Sequence, residues 1–547
     1  MKMNLTIQGK PVKVEENPLD RAIRWLAPAY GLKRFRARTY AAIAGGYTGG
    51  RRDRNATKQW VPRGNDPDTD IIADLPDLRG RSRDANRNNP IAAGATNTDV
   101  VNVVGAGLQL HANIDAALLN MTEDEADAWE ANTQRWFRLW ANNPNECDLA
   151  RTLTFGEKQN LVYRQTLENG DVFVNKPYLE RPGCYFGLKL QEIEADRVCN
   201  KDLGPDTETL SAGVEFSLTT GEPLWYHIAR FHPGSLKIVK REWDRLPVFN
   251  REGKRNIYHL YKTLRPEQHR GVPSLAPVLE ALKQISNLTE SELQASVLQS
   301  VFTAFLKTEG GDGELKLTPS DNSTENSTED SITLGSGNIL GLQPGQDVVF
   351  ANPTRPNNAF EPFFISVVQQ IGTAIGMPYE VLMKRFTASY SAARAALMEA
   401  WKFFMASRAW LVTRYCQPVY CDWMDEAVAR DMIQASGYFD NPLIRQAYRG
   451  AMWIGPAKGM IQEQAEVGAA NDRVTMGIST LEYEAAQIMG LDWEGIHPQQ
   501  VKERRMRRRD GLDTEPVAGR IATEPQEPKP AEPDPKQDKK EDETEDV

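Results

Sequence analysis

Three carboxylates that alternate along a short stretch of the chain could hold a metal ion. They are Glu192, Glu194 and Asp196, in the sequence QEIEADR. Because alternate residues of a β-strand lie on one face, this spacing predicts that the three side chains project together. Clustered oxygens are the ligands that Mg²⁺ prefers, and Mg²⁺ serves many nucleases. The alternative is that the acids pair with Arg197, Lys201 or a neighbouring subunit. This alternative is favoured, because no other motif in the chain would complete a metal site.

Other signatures of catalysis are missing from the sequence. It contains no GxxxxGK[ST] phosphate loop, no GxSxG nucleophile elbow and no HExxH zinc helix. Gly105 and Gly107 begin a dinucleotide-type pattern, but Leu110 stands where the third glycine is needed. The six histidines are scattered, and we expect His227 and His232, at a strand boundary, to be packing or surface groups. The sequence therefore predicts no cofactor and no metal, and it disfavours an enzyme.

Cysteine usage and hydropathy indicate where the protein works. Its five cysteines contain no CxxC pair, which argues against a zinc site, and their odd number argues against a complete disulfide framework. The beginning of the chain lacks the apolar core of a secretion signal, and no run of about 20 apolar residues occurs. We therefore expect a reducing cytosol and no membrane.

Length and charge predict several packed units with opposite charges at the two ends. The chain has 547 residues, of which 40% are hydrophobic, and a formal net charge of -10. At about 100–200 residues per domain, this length predicts two to four units. Residues 1–54 hold twelve Lys or Arg and four acids, and residues 511–547 hold five Lys or Arg and twelve acids. Either end is suited to an oppositely charged partner.

Helices and then short strands are expected in the first half of the chain. Residues 20–40 predict a basic, partly helical arm, and LRGRSRDANRNN predicts a helix that Pro90 ends. The valine-rich run from Thr98 to Leu110 favours a strand, and Glu123 to Ala141 predicts a helix. From Asn160 to Tyr261, five short apolar runs separated by Gly, Pro and Asp predict an antiparallel or mixed sheet.

Two long helical regions are expected to flank an exposed protrusion. Apolar residues at helical spacing predict one helix over residues 273–307, about 50 Å long, which a capping box at Thr289 to Glu292 would divide. The next segment is rich in Gly, Ser, Asn and acids and predicts a protrusion. Residues 357–384 and 391–430 are again helical, and Pro418 is expected to kink the latter. A smaller helical region and a disordered acidic tail, residues 511–547, follow.

Several motifs in this order resemble one known family. The strings are LRGRSRDANRNNP, VVNVVGAGLQL, GDVFV, LRPEQHRGVPSLAPVL, GMPYEVLMKRFTASYSAARAALMEAW and WIGPAKG. Together they resemble the lambda-like family of phage portal proteins, over about residues 36–508. The resemblance implies an α+β portal fold, with a mixed α/β wing, long stem helices, a small clip and a helical crown.

The resemblance also implies a structural function in the virion. It implies a homo-oligomeric ring of twelve subunits at one capsid vertex, which forms the channel for double-stranded DNA during packaging and ejection. The implied partners are the terminase large subunit, the major capsid and scaffold proteins, and a head-tail connector or head-completion protein. The ATPase belongs to the terminase, in line with the missing phosphate loop. Assembly would take place in the host bacterial cytoplasm.

Carried over in order, the family's parts have the following expected boundaries. They are a basic N-terminal arm (1–54), a wing (55–272), a first stem helix (273–307), a clip (308–356), a second stem helix (357–384), a tunnel loop (385–390), a long kinked helix (391–430), a helical crown (431–510) and a disordered acidic tail (511–547).

The resemblance implies three groups of functional residues. The DNA-facing tunnel loop would use Lys384, Arg385, Thr387, Ser389, Tyr390 and Ser391. The clip would offer partners Glu309, Asp312, Glu314, Asp321, Glu325, Glu329 and Asp330. Packaged DNA inside the capsid would meet Arg504, Arg505, Arg507 and Arg508.

Each group has a simpler explanation. The loop residues would be an ordinary connection between helices, with Ser389 or Ser391 as N-cap, and Arg394 would form an ion pair between subunits. The clip acids would keep a loop soluble, and the arginines would be a solvated helix end. Two other functions stay open at this point: a phage-encoded nuclease or head-maturation enzyme that uses the three alternating acids, and a minor capsid or adaptor protein.

Overall fold

The computed structural model describes most of the chain, in two compact units, residues 1–70 and 71–547. Described are residues 22–33 without 24 and 32, 59–236 without 63, 241–300, 360–459 without 387 and 388, and 462–512, with the backbone of 2–7, 10–15, 304–308 and 346–350. Among the described helices, none combines the length and apolar character that a membrane span requires.

The first unit begins with a hairpin that the expected basic arm did not include. Strands β1 (Lys2–Ile7) and β2 (Lys10–Glu15) pair antiparallel. Apolar residues alternate along both strands, and the register sets Met3 opposite Val14. This period of two is the pattern of a strand with one apolar face, so the hairpin was readable from the sequence.

The second unit begins with helices and a long sheet-forming region. Its elements up to residue 261 are α1 (Pro67–Ile71, which starts in the first unit), α2 (Leu75–Asn88), α3 (Pro90–Val103), β3 (Gln109–Ala112), α4 (Ala116–Leu119), α5 (Glu123–Ala141), α6 (Pro144–Cys147), α7 (Phe155–Asn169), β4 (Asp171–Asn175), β5 (Gln191–Glu194), β6 (Leu210–Ser211), β7 (Val214–Phe216), β8 (Pro223–Ala229), β9 (Trp243–Pro247) and β10 (Ile257–Tyr261).

The rest of the described chain is mainly helical. Its elements are α8 (Leu279–Ser300), β11 (Ala304–Thr308), β12 (Gln346–Phe350), α9 (Phe360–Ile375), α10 (Tyr379–Met383), α11 (Tyr390–Leu411), a π-helical turn (Val412–Cys416), α12 (Gln417–Ala429), α13 (Pro442–Tyr448), β13 (Ala451–Ile454), α14 (Glu463–Thr475), α15 (Leu481–Met489) and α16 (Trp493–Arg509). The fold is therefore a mixture of helices and small sheets, as predicted.

All strand pairs within the described sheets are antiparallel. The orders are β10-β4-β5, β6-β7-β8-β9, β13-β3 and β11-β12. Among the five runs predicted as strands, DVFVN and NIYHLY form β4 and β10, whereas CYFGLKLQEI contributes only its last three residues to a strand, β5. In FHPGSLKIV, the described residues 231–236 form turns and coil, not a strand.

An aromatic cluster joins the early helices to the later ones. The ring of Phe137 on α5 lies 5.1–6.0 Å from five other rings. They belong to Trp140, Phe155, Tyr420, Trp423 and Trp453. Such pairs stabilise beyond the area that they bury, so α5, α7, α12 and β13 form one core.

The valine-rich run from Thr98 is helical, which corrects the predicted strand. Helix α3 continues to Val103, and the strand is confined to Gln109–Ala112. Pro90 occupies the first turn of α3, and Asn89 caps it by accepting hydrogen bonds from the N–H groups of Ile91 and Ala92. This strong start and the burial of Val100 and Val103 outweigh the strand preference of valine, which depends on context.

The long helices are shorter than the sequence predicted. Helix α8 ends at Ser300, not at residue 307, and Ala304–Thr308 is a strand. Thr289 does not divide α8, because its hydroxyl bonds the carbonyl of Ile285 one turn earlier. The region predicted as helical over residues 357–384 consists of two helices, α9 and α10. The helix predicted over residues 391–430 is interrupted by the π-helical turn shortly before Pro418.

A buried ionic hub links helix α2, strand β4 and the chain that enters α8. The fully buried Asp171 accepts hydrogen bonds from Arg79, Arg270 and His259. Arg270 also donates to the carbonyls of Val198, Ala212 and Ala195. Burial opposes the charge of Asp171, but the two arginines hold its pKa well below the usual value. Three separate elements are thereby fixed relative to one another.

Candidate functional sites

The predicted tunnel loop lies between α10 and α11, and a tight turn positions it. Helix α9 packs Val368 and Ile371 into the core and ends before Gly376. Gly376 has a positive φ of 76°. A Cβ on Gly376 would lie 2.8 Å from the ring of Phe403 on α11, closer than such contacts allow. Glycine is therefore required for α9 to turn into α10 against α11.

Replacing Gly376 by alanine is expected to destabilise the protein by about 1–3 kcal/mol, because a side chain at positive φ is strained and would also strike Phe403. Thermal unfolding measures the effect. Gly459→Ala is the control, because a Cβ there would meet no atom within 4 Å. Equal melting temperatures for the two variants would contradict this role of the turn.

The loop begins with two exposed cations held by backbone geometry. Lys384 adopts a left-handed conformation, with φ of 54°, and caps α10 by donating its N–H to the carbonyl of Glu380. The N–H of Arg385 reaches the same carbonyl at 3.1 Å. Both side chains are exposed. The sequence prediction that this segment presents positive charge to solvent is therefore compatible with the geometry.

Arg385 is engaged by a carboxylate that the sequence analysis did not foresee. Its Nη1 lies 2.9 Å from Oε1 of Glu361, on α9. Hydrogen bonds to Glu361 and then Tyr379 raise the pKa of Arg385, so it stays charged. Because both partners are exposed, the pair contributes little stability and can exchange for another anion, such as a phosphate.

The two serines of the loop contact each other. Their hydroxyl oxygens, in Ser389 and Ser391, lie 3.2 Å apart. Ser389 occupies the N-cap position of α11, but its side chain makes no capping hydrogen bond. Tyr390 begins α11, and Thr387 lies outside the described residues. Capping therefore does not explain why these hydroxyls are present.

Arg394 lines a cleft beside this loop. The cleft has a volume of about 320 Å³, and Val381, Trp401, Phe404 and Lys458 also line it. Arg394 is exposed and forms no ion pair with the residues that the structure describes. The ion pair between subunits that was expected for Arg394 stays a prediction.

The three alternating acids do not form one metal site. Asp196 lies in a 3₁₀ turn (Ala195–Arg197) and not in the strand. Glu192 pairs separately with the buried Lys158, at 2.6 Å. The prediction that all three carboxylates project together is wrong, because Glu192 is not part of the group that Glu194 and Asp196 form.

Cations of the chain neutralise the two remaining acids. Oxygens of Glu194 and Asp196 and a ring nitrogen of His232 lie within 4.8 Å of one another. Arg83 approaches Asp196 to 2.5 Å and Glu194 to 3.2 Å, and Arg79 approaches Asp196 to 3.2 Å. Burial opposes the charge of Asp196, but these arginines lower its pKa. Guanidinium groups thus stand beside the oxygens that a divalent ion would need.

Arg197, which was expected to pair with the acids, has other partners, and so do His227 and His232. Arg197 bonds the backbone carbonyls of Ala229 and Arg230 and leaves the acids to Arg79, Arg83 and Lys158. His227 lies 3.1 Å from Glu215, whereas His232 faces Asp196 at 3.3 Å, so the two histidines have different partners. Sequence spacing alone could not assign these pairs.

The structure describes the arginines predicted to meet packaged DNA but not the acids predicted for the clip. Arg504, Arg505, Arg507 and Arg508 lie on the exposed last turns of α16, where cations stabilise a helix C-terminus. The clip residues lie outside the described part of the chain. They are Glu309, Asp312, Glu314, Asp321, Glu325, Glu329 and Asp330.

One buried arginine on α11 was not singled out from the sequence. Arg408 donates to the carbonyls of Asn102 and Val103, at the end of α3, and of Pro456. Burial lowers its pKa to about 10, since none of the described carboxylates offsets it. Its position in an apolar helical pattern, in MASRAWL, was the available signal.

Comparisons with known proteins give one consistent family. The family model for phage portal proteins of the lambda family matches residues 53–408. Portal protein B of Escherichia phage lambda is 24% identical over 495 residues, which cover 87% of this chain and 91% of that protein. The portal protein of Escherichia phage N15 is 24% identical over 492 residues, which cover 86% and 92%.

Solved structures with some similarity come from particle necks. The neck of a native gene transfer agent particle, computed with C12 symmetry, is 13% identical with a TM-score of 0.39, over 75% of this chain and 92% of that one. The neck of the empty particle, computed with C6 symmetry, is 15% identical with a TM-score of 0.41, over 77% and 95%. The family match covers more than half of the sequence, and this chain therefore belongs to the lambda family of phage portal proteins.

Proposed function

We propose that twelve copies of this chain close into a ring at one capsid vertex, and that double-stranded DNA passes along the ring axis during packaging and ejection. The observation that carries the proposal is family membership over residues 53–408. Members of this family are structural proteins and not enzymes. The nuclease alternative is not favoured, because arginines neutralise Glu194 and Asp196, and Glu192 is held elsewhere.

Exposed apolar side chains on the long helices support a ring. Leu293 and Val297 on α8 and Phe363 on α9 are 64%, 55% and 56% exposed in the single chain. On the same helices Leu282, Ile285 and Val368 lie in the core, so the apolar side chains of α8 extend beyond the part that the core covers. Apolar faces of this kind mark contacts between proteins, and a head-to-tail interface between identical copies closes into a ring by rotation.

We assign the parts of the subunit in the order of the family. Residues 55–272 form the wing, α8 belongs to the first stem segment (273–307), and residues 308–356 form the clip. Helices α9 and α10 belong to the second stem segment (357–384), residues 385–390 form the tunnel loop, 391–430 the long helix, and 431–510 the crown. The basic arm (1–54) and the acidic tail (511–547) lie outside these parts.

The tunnel loop is the proposed point of contact with DNA. Its exposed Lys384 and Arg385 would meet phosphates, one set for each subunit. This segment offers two such cations in each subunit, and each one that binds phosphate releases counterions and tightens binding. A small number of exchangeable contacts therefore favours a duplex that slides. The arginines at the end of α16 would contact packaged DNA inside the capsid.

The proposed partners follow from the same assignment. The acidic clip would bind a basic face of the terminase large subunit or of a head-tail connector or head-completion protein, since complementary charge steers association. Major capsid and scaffold proteins would surround the ring during assembly in the bacterial cytoplasm, and the mature location would be the virion. The channel function itself requires no cofactor.

Native mass measurement combined with a DNA cleavage assay tests this function against the nuclease alternative. We expect a closed oligomer with a mass that is a whole multiple of 61.4 kDa, and no DNA cleavage with Mg²⁺ or Mn²⁺ added. A monomer that cuts DNA only with the metal would contradict the proposal. Loss of that cleavage in Glu194→Gln would then identify the acids as its source.

A further inference from the structure

A buried histidine lies where the C-terminal helices meet the rest of the subunit. His111, on β3, is 2% exposed. Its Nδ1 lies 3.3 Å from Asp492, and its Nε2 lies 3.4 Å from Glu482 and 3.8 Å from Glu494. These three acids belong to residues 462–512, here called the C-terminal helical segment, which contains α14, α15 and α16. The histidine thus lies at the centre of a contact with three acids.

The geometry at His111 suits the doubly protonated ring. A neutral imidazole has one N–H and can donate to one side only, whereas the imidazolium donates from both nitrogens. Both nitrogens of His111 face carboxylates. The neutral amide of Gln134 also reaches Nδ1, at 3.4 Å, but a charge-assisted bond to a carboxylate is stronger. Protonated His111 therefore forms ion pairs with Glu482 on α15 and with Asp492 and Glu494 at the start of α16.

Two further acids, Asp127 and Glu130 on α5, belong to the same cluster. Glu130 is 7% exposed and accepts a hydrogen bond from the N–H of Ile114 at 2.7 Å. Carboxylate oxygens of Asp127, Glu130 and Glu494 lie within 4.8 Å of one another. The cation Arg138, on α5, reaches the amide oxygen of Gln134. Three carboxylates therefore contact the imidazole, and two more lie beside Glu494, where close carboxylates share protons.

The pKa shifts in this cluster have consistent directions. Burial raises the pKa of Glu130 to about 7, and burial also raises that of Glu494. Burial opposes protonation of His111, but the hydrogen bond and charge of Asp492 and the charges of Glu494 and Glu482 raise its pKa. Asp492 is the exception, because burial opposes its charge but the hydrogen bond and the charge of His111 lower its pKa. Near neutral pH these groups therefore bind more protons when the C-terminal helical segment is docked than they would bind in water.

Little apolar burial holds the C-terminal helical segment in place. Within residues 462–512, only Ala470 and Glu484 are buried. Several apolar side chains of the segment are more than half exposed, among them Met476, Ile478 and Met489. A cavity of about 440 Å³ lies between the body and the start of α16. Segments with few buried apolar contacts open at low free energy. The polar cluster around His111 therefore provides much of the stability of the docked segment.

We propose that His111, Glu130, Glu482, Asp492 and Glu494 form a proton-controlled latch, which holds the C-terminal helical segment on the body at mildly acidic pH and loosens it as pH rises. The inference is independent of the proposed function. Its consequence is local, because the latch sets how firmly α16 and its arginine-rich end are attached to the subunit.

The direction of the pH effect follows from proton linkage. A carboxyl whose pKa is raised in the docked state stabilises docking below its ordinary pKa, and this stabilisation is lost as pH rises through the raised value, about 7 for Glu130. A histidine with a raised pKa loses its contribution above its ordinary pKa of 6.5. Asp492 acts in the opposite direction, but only in strong acid, below its ordinary pKa of 3.8. Docking should therefore weaken between pH 5.5 and pH 8.

Hydrogen exchange of the full-length protein tests the latch. After correction for intrinsic rates, protection of α15 and α16 should fall by at least about ten-fold from pH 5.5 to pH 8, since each extra bound proton changes the equilibrium ten-fold per pH unit. Amides of α7, in the core, are the internal reference. Protection of α15 and α16 that does not depend on pH would overturn the proposal.

The Glu130→Gln variant should increase protection of α15 and α16 at pH 8, an effect that misfolding would not produce. Its amide oxygen still accepts from Ile114, but it cannot ionise, so protection of α15 and α16 should persist at pH 8. Glu503→Gln is the matched control, because Glu503 is exposed on α16 and bonds only Gln499 among the described residues. If the Glu130→Gln and Glu503→Gln variants release the segment alike, the latch is refuted.

Asp492→Asn tests the histidine side of the latch. Asparagine is as good an N-cap as aspartate, so the bond that Asp492 accepts from Gly495 at the start of α16 is retained. The charge beside His111 is lost. We expect lower protection at pH 5.5 and a smaller change up to pH 8. Unchanged protection at pH 5.5 would exclude His111 and Asp492 from the latch.

Discussion

Replacing Arg270 by alanine is expected to lower the free energy of unfolding by about 3–5 kcal/mol, the range for breaking a buried ion pair. Arg270 is 1% exposed and bonds both Asp171 and three backbone carbonyls. Its removal takes one donor from each of these acceptors, and Asp171 keeps Arg79, His259 and the backbone N–H of Gly271. Urea unfolding followed by circular dichroism measures the loss.

Arg81→Ala is the matched control for this loss. Arg81 forms an ion pair with Asp77 one turn away on α2, and both side chains are about 70% exposed. Exposed pairs of this kind contribute up to about 0.5 kcal/mol. Equal effects of Arg270→Ala and Arg81→Ala would show that the hub does not stabilise the fold.

The second large effect is expected from the double substitution Lys384→Ala and Arg385→Ala. Rings should form normally, because both side chains are exposed and Arg385 has only the exposed Glu361 as ion-pair partner among the described residues. Twelve copies would lose 24 positive charges from the proposed channel. DNA packaged per particle should therefore fall by about ten-fold or more, since such cations dominate binding to phosphate.

Nuclease-protected DNA per particle measures packaging, and electron microscopy of the same preparation counts rings. Lys402→Ala is the control, because it removes an exposed cation from α11 that pairs only with Glu399 in the described structure. Packaging by the double variant at the level of Lys402→Ala would remove the tunnel loop from the DNA path. Loss of rings would instead place Lys384 and Arg385 at a subunit interface.

Elements with strong local signals were predictable from the sequence. Helix α5 was predicted with the bounds that the structure has, because Thr122 and Glu125 form a capping box and the apolar spacing is helical throughout. Strand β4 is a short buried run between turns, and it too was predicted. Strand β13 was missed, since its four residues pair with β3, more than 300 positions away.

The candidate sites were predictable as segments and not as contacts. The sequence indicated a charged loop at Lys384 and Arg385, but not that Glu361 pairs with Arg385 from another helix. The three acids of QEIEADR were expected together, but Glu192 pairs with Lys158 and only Glu194 and Asp196 lie together. His111 and Asp492 are 381 positions apart, and no spacing rule connects them. Long-range pairs depend on tertiary structure, which local patterns do not contain.

If copies of this chain surround an axial passage for duplex DNA, a three-dimensional reconstruction of the purified, full-length assembly by electron microscopy should reveal it. We expect a closed ring with an open axial bore wide enough for a double helix, lined by the segment from Lys384 to Ser391. A compact assembly without such a bore, or a ring with this segment on its outer surface, would contradict this expectation.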